Sequence, residues 1–237
     1  MQGFNPYQPP AHADQPPPVF AGVPGEPLDW SIETALSVGW DRVKHWWPVL
    51  VLGPVFVNVL SGAISYFMQK AGLQGIDALV SMILGVFFWV GMVRMFTSAV
   101  RCEPPSFGQI MSGADRTLPL LGTQILMILA IMAGTIALVI PGIVLALGFS
   151  LAPYLCVDQQ LGPIESLKRS WELMQGCKLR MLGFGFIAMI VMIAGVLALF
   201  VGVFVASAVV YAAFTWIYLR RRGELVPERV DDRVGLY

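Results

Sequence analysis

TLPLLGTQILMILAIMAGTIALVIPGIVLALGFSLAPYLCV, residues 117–157, carries no charged side chain. At a helical rise of 1.5 Å per residue, its roughly 40 residues would extend about 60 Å. The hydrocarbon core of a bilayer is only about 30 Å thick. The run must therefore fold back once. Pro141-Gly142 marks the expected reversal, because proline stops a helix and glycine tolerates the turn. Residues 181–219 form a second uncharged run of similar length, with a turn expected near residues 200–202.

Working outward, residues 49–68 and 78–100 are apolar runs of ordinary span length, the latter with Arg94 near its end. The sequence thus predicts an all-α integral membrane protein with six transmembrane helices in three hairpins, over 48–68, 78–100, 118–140, 143–157, 180–199 and 202–219. Composition agrees. Of the 237 residues 57% are hydrophobic and 13% charged, against roughly 25% charged in soluble domains. So few charges cannot cover the surface of a soluble chain this size. A soluble enzyme, a nucleic-acid binder relying on a basic surface and a disordered protein are excluded.

Basic residues orient the bundle. All 15 lysines and arginines except Lys70 fall before the first helix, between helices 2 and 3 (with Arg94 just inside helix 2), between helices 4 and 5, or after helix 6. These connections share one side, which the positive-inside rule assigns to the cytoplasm. Both termini are then cytoplasmic, and the expected location is the bacterial inner membrane. Residues 1–29 hold nearly half of the 17 prolines and no Lys or Arg. They read as a disordered cytoplasmic tail, either docking a proline-recognising protein partner or serving as a solubilising leader. Without a basic start and an apolar core they do not read as a signal peptide. The membrane domain is expected over 30–222, and residues 223–237 as a second cytoplasmic tail.

Each segment leading into a hairpin is amphipathic. In 31–45, Ile32, Leu36, Gly39 and Val43 share a face, and Ser31 is an expected N-cap. The second carries Phe107, Ile110, Met111 and Ala114 at helical spacing. The third starts at Gly162-Pro163, with Ile164, Leu167, Trp171 and Met174 on its apolar face. Glu165/Arg169 and Lys168/Glu172 are its expected i,i+4 pairs, and Gly176 its expected end. Such helices lie in the interface. The chain then divides into three units, 30–100, 106–157 and 163–219, unless any loop beside a bilayer simply becomes amphipathic.

Chemistry is sparse. Cys102, Cys156 and Cys177 lack a CxxC pairing, so they read as small buried hydrophobes. No Gly-rich phosphate loop, HExxH or GxSxG occurs. No catalytic residue, metal or cofactor is expected. The spans as drawn contain no Asp, Glu, His or Lys, which weighs against a proton-coupled carrier. Arg94 either contacts an anionic lipid headgroup or snorkels to the surface. Trp46, Trp47 and Trp171 suit headgroup depth. Asn58, Ser61 and Ser65 line one face of helix 1, to pack against a neighbour or to border a pathway.

Ile140-Pro141-Gly142-Ile143, the SLAPY stretch at 150–154 and GPIESLKRSW at 162–171 carry a resemblance. The chain resembles the YciC-like bacterial membrane proteins and the membrane domain fused to some glycerophosphodiester phosphodiesterases. The resemblance implies a six-helix inner-membrane layout; with no phosphodiesterase domain here, that activity does not carry over. The expected role is non-enzymatic, organising the membrane or scaffolding a partner through interfacial helices. A transporter or exporter for an apolar or amphiphilic cargo is the alternative. A lipid-modifying enzyme using His45, Arg94 or Asp158 ranks last.

Overall fold

The computed structural model describes residues 27–197 and 201–230, and these residues form helices and connecting segments. Helix α1 is Ile32–His45, α2 Trp47–Lys70 and α3 Gln74–Val100. A 3-10 turn, Phe107–Met111, precedes α4, Thr117–Ala137. Then follow α5 (Val139–Phe149), α6 (Ala152–Asp158), α7 (Pro163–Leu173), α8 (Lys178–Leu197) and α9 (Val201–Arg221). Among the described residues six helical stretches are long and apolar enough to cross a membrane, α5 and α6 together making the fourth. Their large apolar side chains are widely exposed, Ile136 by 82% and Leu197 by 80%. A surface of that kind needs hydrocarbon around it. The protein is a multi-pass membrane protein.

The first reversal falls at Leu138, whose backbone is extended, and not at Pro141-Gly142. Pro141 instead occupies the first turn of α5, where no intrahelical donor is needed. Gly142 lets α5 press on α4: a Cβ there would lie 2.2 Å from Thr135 Oγ1. The second expected turn, near 200–202, falls largely on residues 198–200, outside the described residues, and Gly202 lies inside α9. Helix α3 starts before the expected 78, so Asp77 enters the second span. It fits in the first turn, where a carboxylate opposes the helix dipole. It also accepts from Ser65 at 3.0 Å and Ser81 at 3.2 Å.

In each hairpin the second helix is the better buried: 33% against 22%, 44% against 11%, and 56% against 22% of each span. These second helices form an inner group. Trp89 of α3 meets Tyr211 of α9 with ring centroids 5.7 Å apart, and Tyr154 of α6 meets Phe214 at 5.2 Å. Helices α2, α4 and α8 lie outside them.

Each lead-in segment packs on the second helix of the hairpin before it, and α1 packs on the last. Glycine makes each approach close. A Cβ on Gly39 of α1 would lie 2.5 Å from the Val209 carbonyl oxygen of α9. One on Gly91 of α3 would lie 2.3 Å from the Ile110 oxygen of the 3-10 turn, and one on Gly148 of α5 2.3 Å from the Trp171 ring of α7. Small residues at such crossings let backbones approach where lipid gives helices no hydrophobic reason to associate.

The lead-ins bury only part of their apolar faces. Helix α1 buries Ala35, Val38, Gly39, Arg42 and Val43, leaving Ile32 and Leu36 only half-buried. Ser31 does cap it, accepting from Thr34 N at 3.0 Å. The second lead-in holds a short 3-10 turn with Ile110 buried and Phe107 and Met111 exposed. Helix α7 buries Ser166, Ser170 and Leu173, and exposes Ile164. The reason lies in the broken fourth span. Ser170 Oγ donates to Gly148 O at 2.8 Å and accepts from Leu151 N at 3.2 Å, at the break between α5 and α6. A broken helix at membrane depth needs such partners for its backbone groups. Arg169 pairs with Glu172 at 3.0 Å, in place of the expected i,i+4 pairs. Gly176 supplies the left-handed turn after α7, with φ +76°.

The chain ends near the bundle are attached to it. Leu28 N donates to Arg220 O at 3.0 Å, and Asp29 pairs with Arg180. The bundle therefore begins before residue 30. The expected tail over 223–237 also starts too early. Val226 is buried, Arg42 donates to Pro227 O, and Val230 N donates to Asp41 Oδ2 at 3.0 Å. Residues 1–26 and 231–237 lie outside the described residues.

Candidate functional site

The three inner helices end together at the basic end of the bundle. Arg101 follows α3, Asp158 closes α6, and Tyr218 lies in the last turn of α9, with Arg222 and Glu224 just beyond. Arg101 grips both carboxylates, with Nε 2.7 Å from Glu224 Oε1 and Nη1 3.1 Å from Asp158 Oδ1. Arg222 bonds Asp158 and reaches Glu224 Oε2 at 2.8 Å. Tyr218 Oη donates to Asp158 Oδ2 at 2.7 Å. Two guanidiniums thus face two carboxylates. Asp158 is the hub and the least accessible of the four, its side chain 11% exposed. Desolvation opposes the Arg101 charge, but bonds and attraction from Glu224 and Asp158 outweigh it and hold the group above its usual pKa. Chemically, this arrangement clamps three spans.

A cleft of about 190 Å³ opens beside the cluster, bordered by Arg94, Thr97, Ser98, Arg101, Gln109 and Asp158. The Thr97 hydroxyl is buried there without a hydrogen-bond partner among the described residues. Arg94 is turned to the second lead-in, with Nη2 2.6 Å from Asp115 Oδ2 and Nη1 3.1 Å from Ser112 Oγ. It therefore staples protein to protein, where the sequence suggested a headgroup contact or snorkelling. The Arg94 guanidinium beside Asp115 holds that carboxyl below the usual carboxylate range. A lowered carboxylate pKa stabilises above the unfolded value and ceases to do so as pH falls through the folded one. The Arg94–Asp115 tie should therefore persist to below pH 3.8, the ordinary aspartate value. Proteolysis of the 103–116 segment, followed while lowering the pH, should accelerate only beneath it, and D115N should remove that step.

Arginines elsewhere at this end also bond main-chain carbonyls. Arg221 Nε reaches Leu173 O at 2.8 Å, Arg180 reaches Trp30 O at 2.7 Å, and Arg116 reaches Gln160 O at 3.1 Å. The basic residues expected to orient the chain also knit its connections.

The chain is similar in part to a UPF0259 membrane protein. That protein, from Sodalis glossinidius, is 29% identical over 110 residues, which are 45% of this chain and 42% of the relative. The match thus spans less than half the relative's length. It agrees in part with the YciC-like resemblance, since YciC is itself grouped as UPF0259. No family model matches, and no solved structure matches.

The other sequence-derived positions scatter. His45 stacks edge-on with Trp46 at 4.8 Å, on the far end of α1 and apart from the residues bordering the cleft. Trp47 is 58% exposed, Trp46 is half-buried, and Trp171 is half-buried on Gly148. Asn58 is exposed and bonds back to Pro54 O of its own helix at 2.8 Å, whereas Ser65 reaches across the hairpin to Asp77. The half-buried Ser61 lies between them on α2. The three cysteines are buried. Among the described residues no group of three or more His, Cys, Asp or Glu gathers as a metal site. Glu224 and Tyr218 were missed as cluster members. Their only sequence signal was a carboxylate and a phenol flanking the Arg220-Arg221-Arg222 run.

Proposed function

We propose that this protein is a non-enzymatic organiser of the bacterial inner membrane, with its basic end and both termini in the cytoplasm. It acts through lipid contacts of its interfacial helices and through a partner docked on the proline-rich tail. The observation that carries the reading is the orientation of α7. Its serine face is spent inside the bundle, while Ile164, Leu167 and Trp171 border an open groove. A helix at the membrane surface with Ile164 exposed and Leu167 and Trp171 half-buried beside an open groove reads as a lipid-contacting element. The clamp of Asp158 and the arginine ties support a rigid platform for such contacts. The positive-inside rule supports the cytoplasmic placement.

Deleting residues 1–26 keeps Leu28 and Asp29 at their anchors. This deletion is expected to abolish recovery of a cross-linked partner from intact cells, and W171E to alter membrane morphology on overexpression. Retention of both wild-type behaviours by folded, membrane-inserted variants would overturn the reading. A carboxyl-terminal reporter fusion active outside the cytoplasm would overturn the orientation.

A further inference from the structure

Helices α5 and α7 enclose a groove of about 520 Å³, within the roughly 300–1,000 Å³ of small-molecule sites. Leu145 and Phe149 of α5 form one wall, and Ile164, Leu167 and Trp171 of α7 the other. The groove is apolar along its length and basic at its rim. Lys168 borders it and is exposed, with no carboxylate partner among the described residues. Lys178 places Nζ 3.2 Å from the Trp171 ring centroid and has no carboxylate partner there either. Glu172, the acid at the rim, is engaged by Arg169 at 3.0 Å. Lys168 therefore stands at the rim of an apolar trough, and Lys178 stands over the Trp171 ring that lines its α7 wall.

We propose that this groove binds one anionic phospholipid, its phosphate between Lys168 and Lys178 and an acyl chain along Leu145, Phe149 and Ile164. The proposal rests on reading α7 as the membrane-contacting helix. Three features select this occupant. The cations match a phosphate. The walls match a hydrocarbon chain, and a chain can enter from the bilayer directly. A free phosphate would leave the apolar walls empty. An apolar peptide would leave the two lysines unmatched.

The test uses full-length protein in detergent micelles, titrated with dioleoyl phosphatidylglycerol or dioleoyl phosphatidylcholine, with bound lipid counted by native mass spectrometry. Phosphatidylglycerol should bind the more tightly, at a single strong site. Each interfacial cation contributes about 1 kcal/mol toward an anionic lipid, so the K168Q/K178Q double variant should bind phosphatidylglycerol roughly 30-fold more weakly. Its phosphatidylcholine binding should stay unchanged. The K44Q/K70Q variant, which removes two cations elsewhere, should retain wild-type binding. Equal binding of both lipids, an unaffected K168Q/K178Q, or an equal loss in K44Q/K70Q would each overturn the site. All four substituted lysines carry no ion pair among the described residues, and a thermal melt verifies that the variants are folded. The outcomes separate the two proposals. Lost lipid binding in K168Q/K178Q with no cellular effect of W171E or the tail deletion leaves the site and removes the organiser role. The reverse pattern removes only the site.

Discussion

Asp158→Ala should lower the stability of the bundle by about 3 kcal/mol, the low end of the range for breaking one side of a buried ion pair. The substitution deletes the acceptor shared by Arg101, Arg222 and Tyr218. Two guanidiniums then face Glu224 alone, in a site where the Arg101 and Arg222 side chains are only 27% and 24% exposed. That remaining exposure lets water compensate in part, which places the estimate at the low end. For a chain of this size the melting temperature should fall by roughly 6–12 °C. D158N keeps a carbonyl acceptor for Tyr218 and should fall between the variant and the wild type. E224Q, at the 25% exposed rim, should cost about 1 kcal/mol. The comparison identifies the hub. An E224Q penalty equal to that of D158A would mean that the charges act as a diffuse patch. A D158A protein melting within about 1 °C of wild type would show that the three inner helices do not depend on the clamp.

The layout of hairpins was legible because hydrocarbon thickness leaves few ways to fold uncharged runs, and charge placement counts crossings independently. What pattern could not give was the rotation of the lead-in helices. The rule that apolar faces point inward does not describe the face of Ile164, Leu167, Trp171 and Met174, where Ile164 is exposed, Leu167 and Trp171 are half-buried and only Met174 is buried. Beside a bilayer the rule loses its direction, since lipid is as apolar as a core. The decision passes to Ser170, which is needed at the broken backbone of the fourth span. Turn positions suffered similarly. Pro141-Gly142 is a strong local breaker, yet a proline in a first helical turn is no disruption, so the chain reverses at Leu138. The candidate site was half legible. Arg101, Asp158 and Arg222 were visible as charges flanking spans, but their convergence depends on the second helix of every hairpin being the inner one. No short-range periodicity encodes that.

The seats of the lead-in segments should be the most substitution-sensitive backbone positions in the bundle. Gly39→Ala and Gly91→Ala test them against Gly185→Ala, all three in helices. In a helix interior alanine is favoured over glycine by about 1 kcal/mol. A Cβ at Gly185 meets nothing within 4 Å, so that substitution should be neutral or stabilising. At Gly39 it lies 2.5 Å from Val209 O and 3.0 Å from Ala213 N, and at Gly91 2.3 Å from Ile110 O and 2.5 Å from Ile110 Cα. These neighbours are backbone, which no side-chain rotation can clear. Helices α1 and α9, or α3 and the 3-10 turn, must move apart, at about 3 kcal/mol or more, the upper part of the range for overpacking. The same added methyl should therefore change sign with its location. Melting temperatures of the three purified variants decide the matter. Gly39→Ala and Gly91→Ala shifting upward together with Gly185→Ala would mean that the lead-ins do not sit in glycine-lined contacts. If only Gly39→Ala is destabilising, the closure of the first lead-in onto α9 holds the bundle and the second lead-in merely rests on α3.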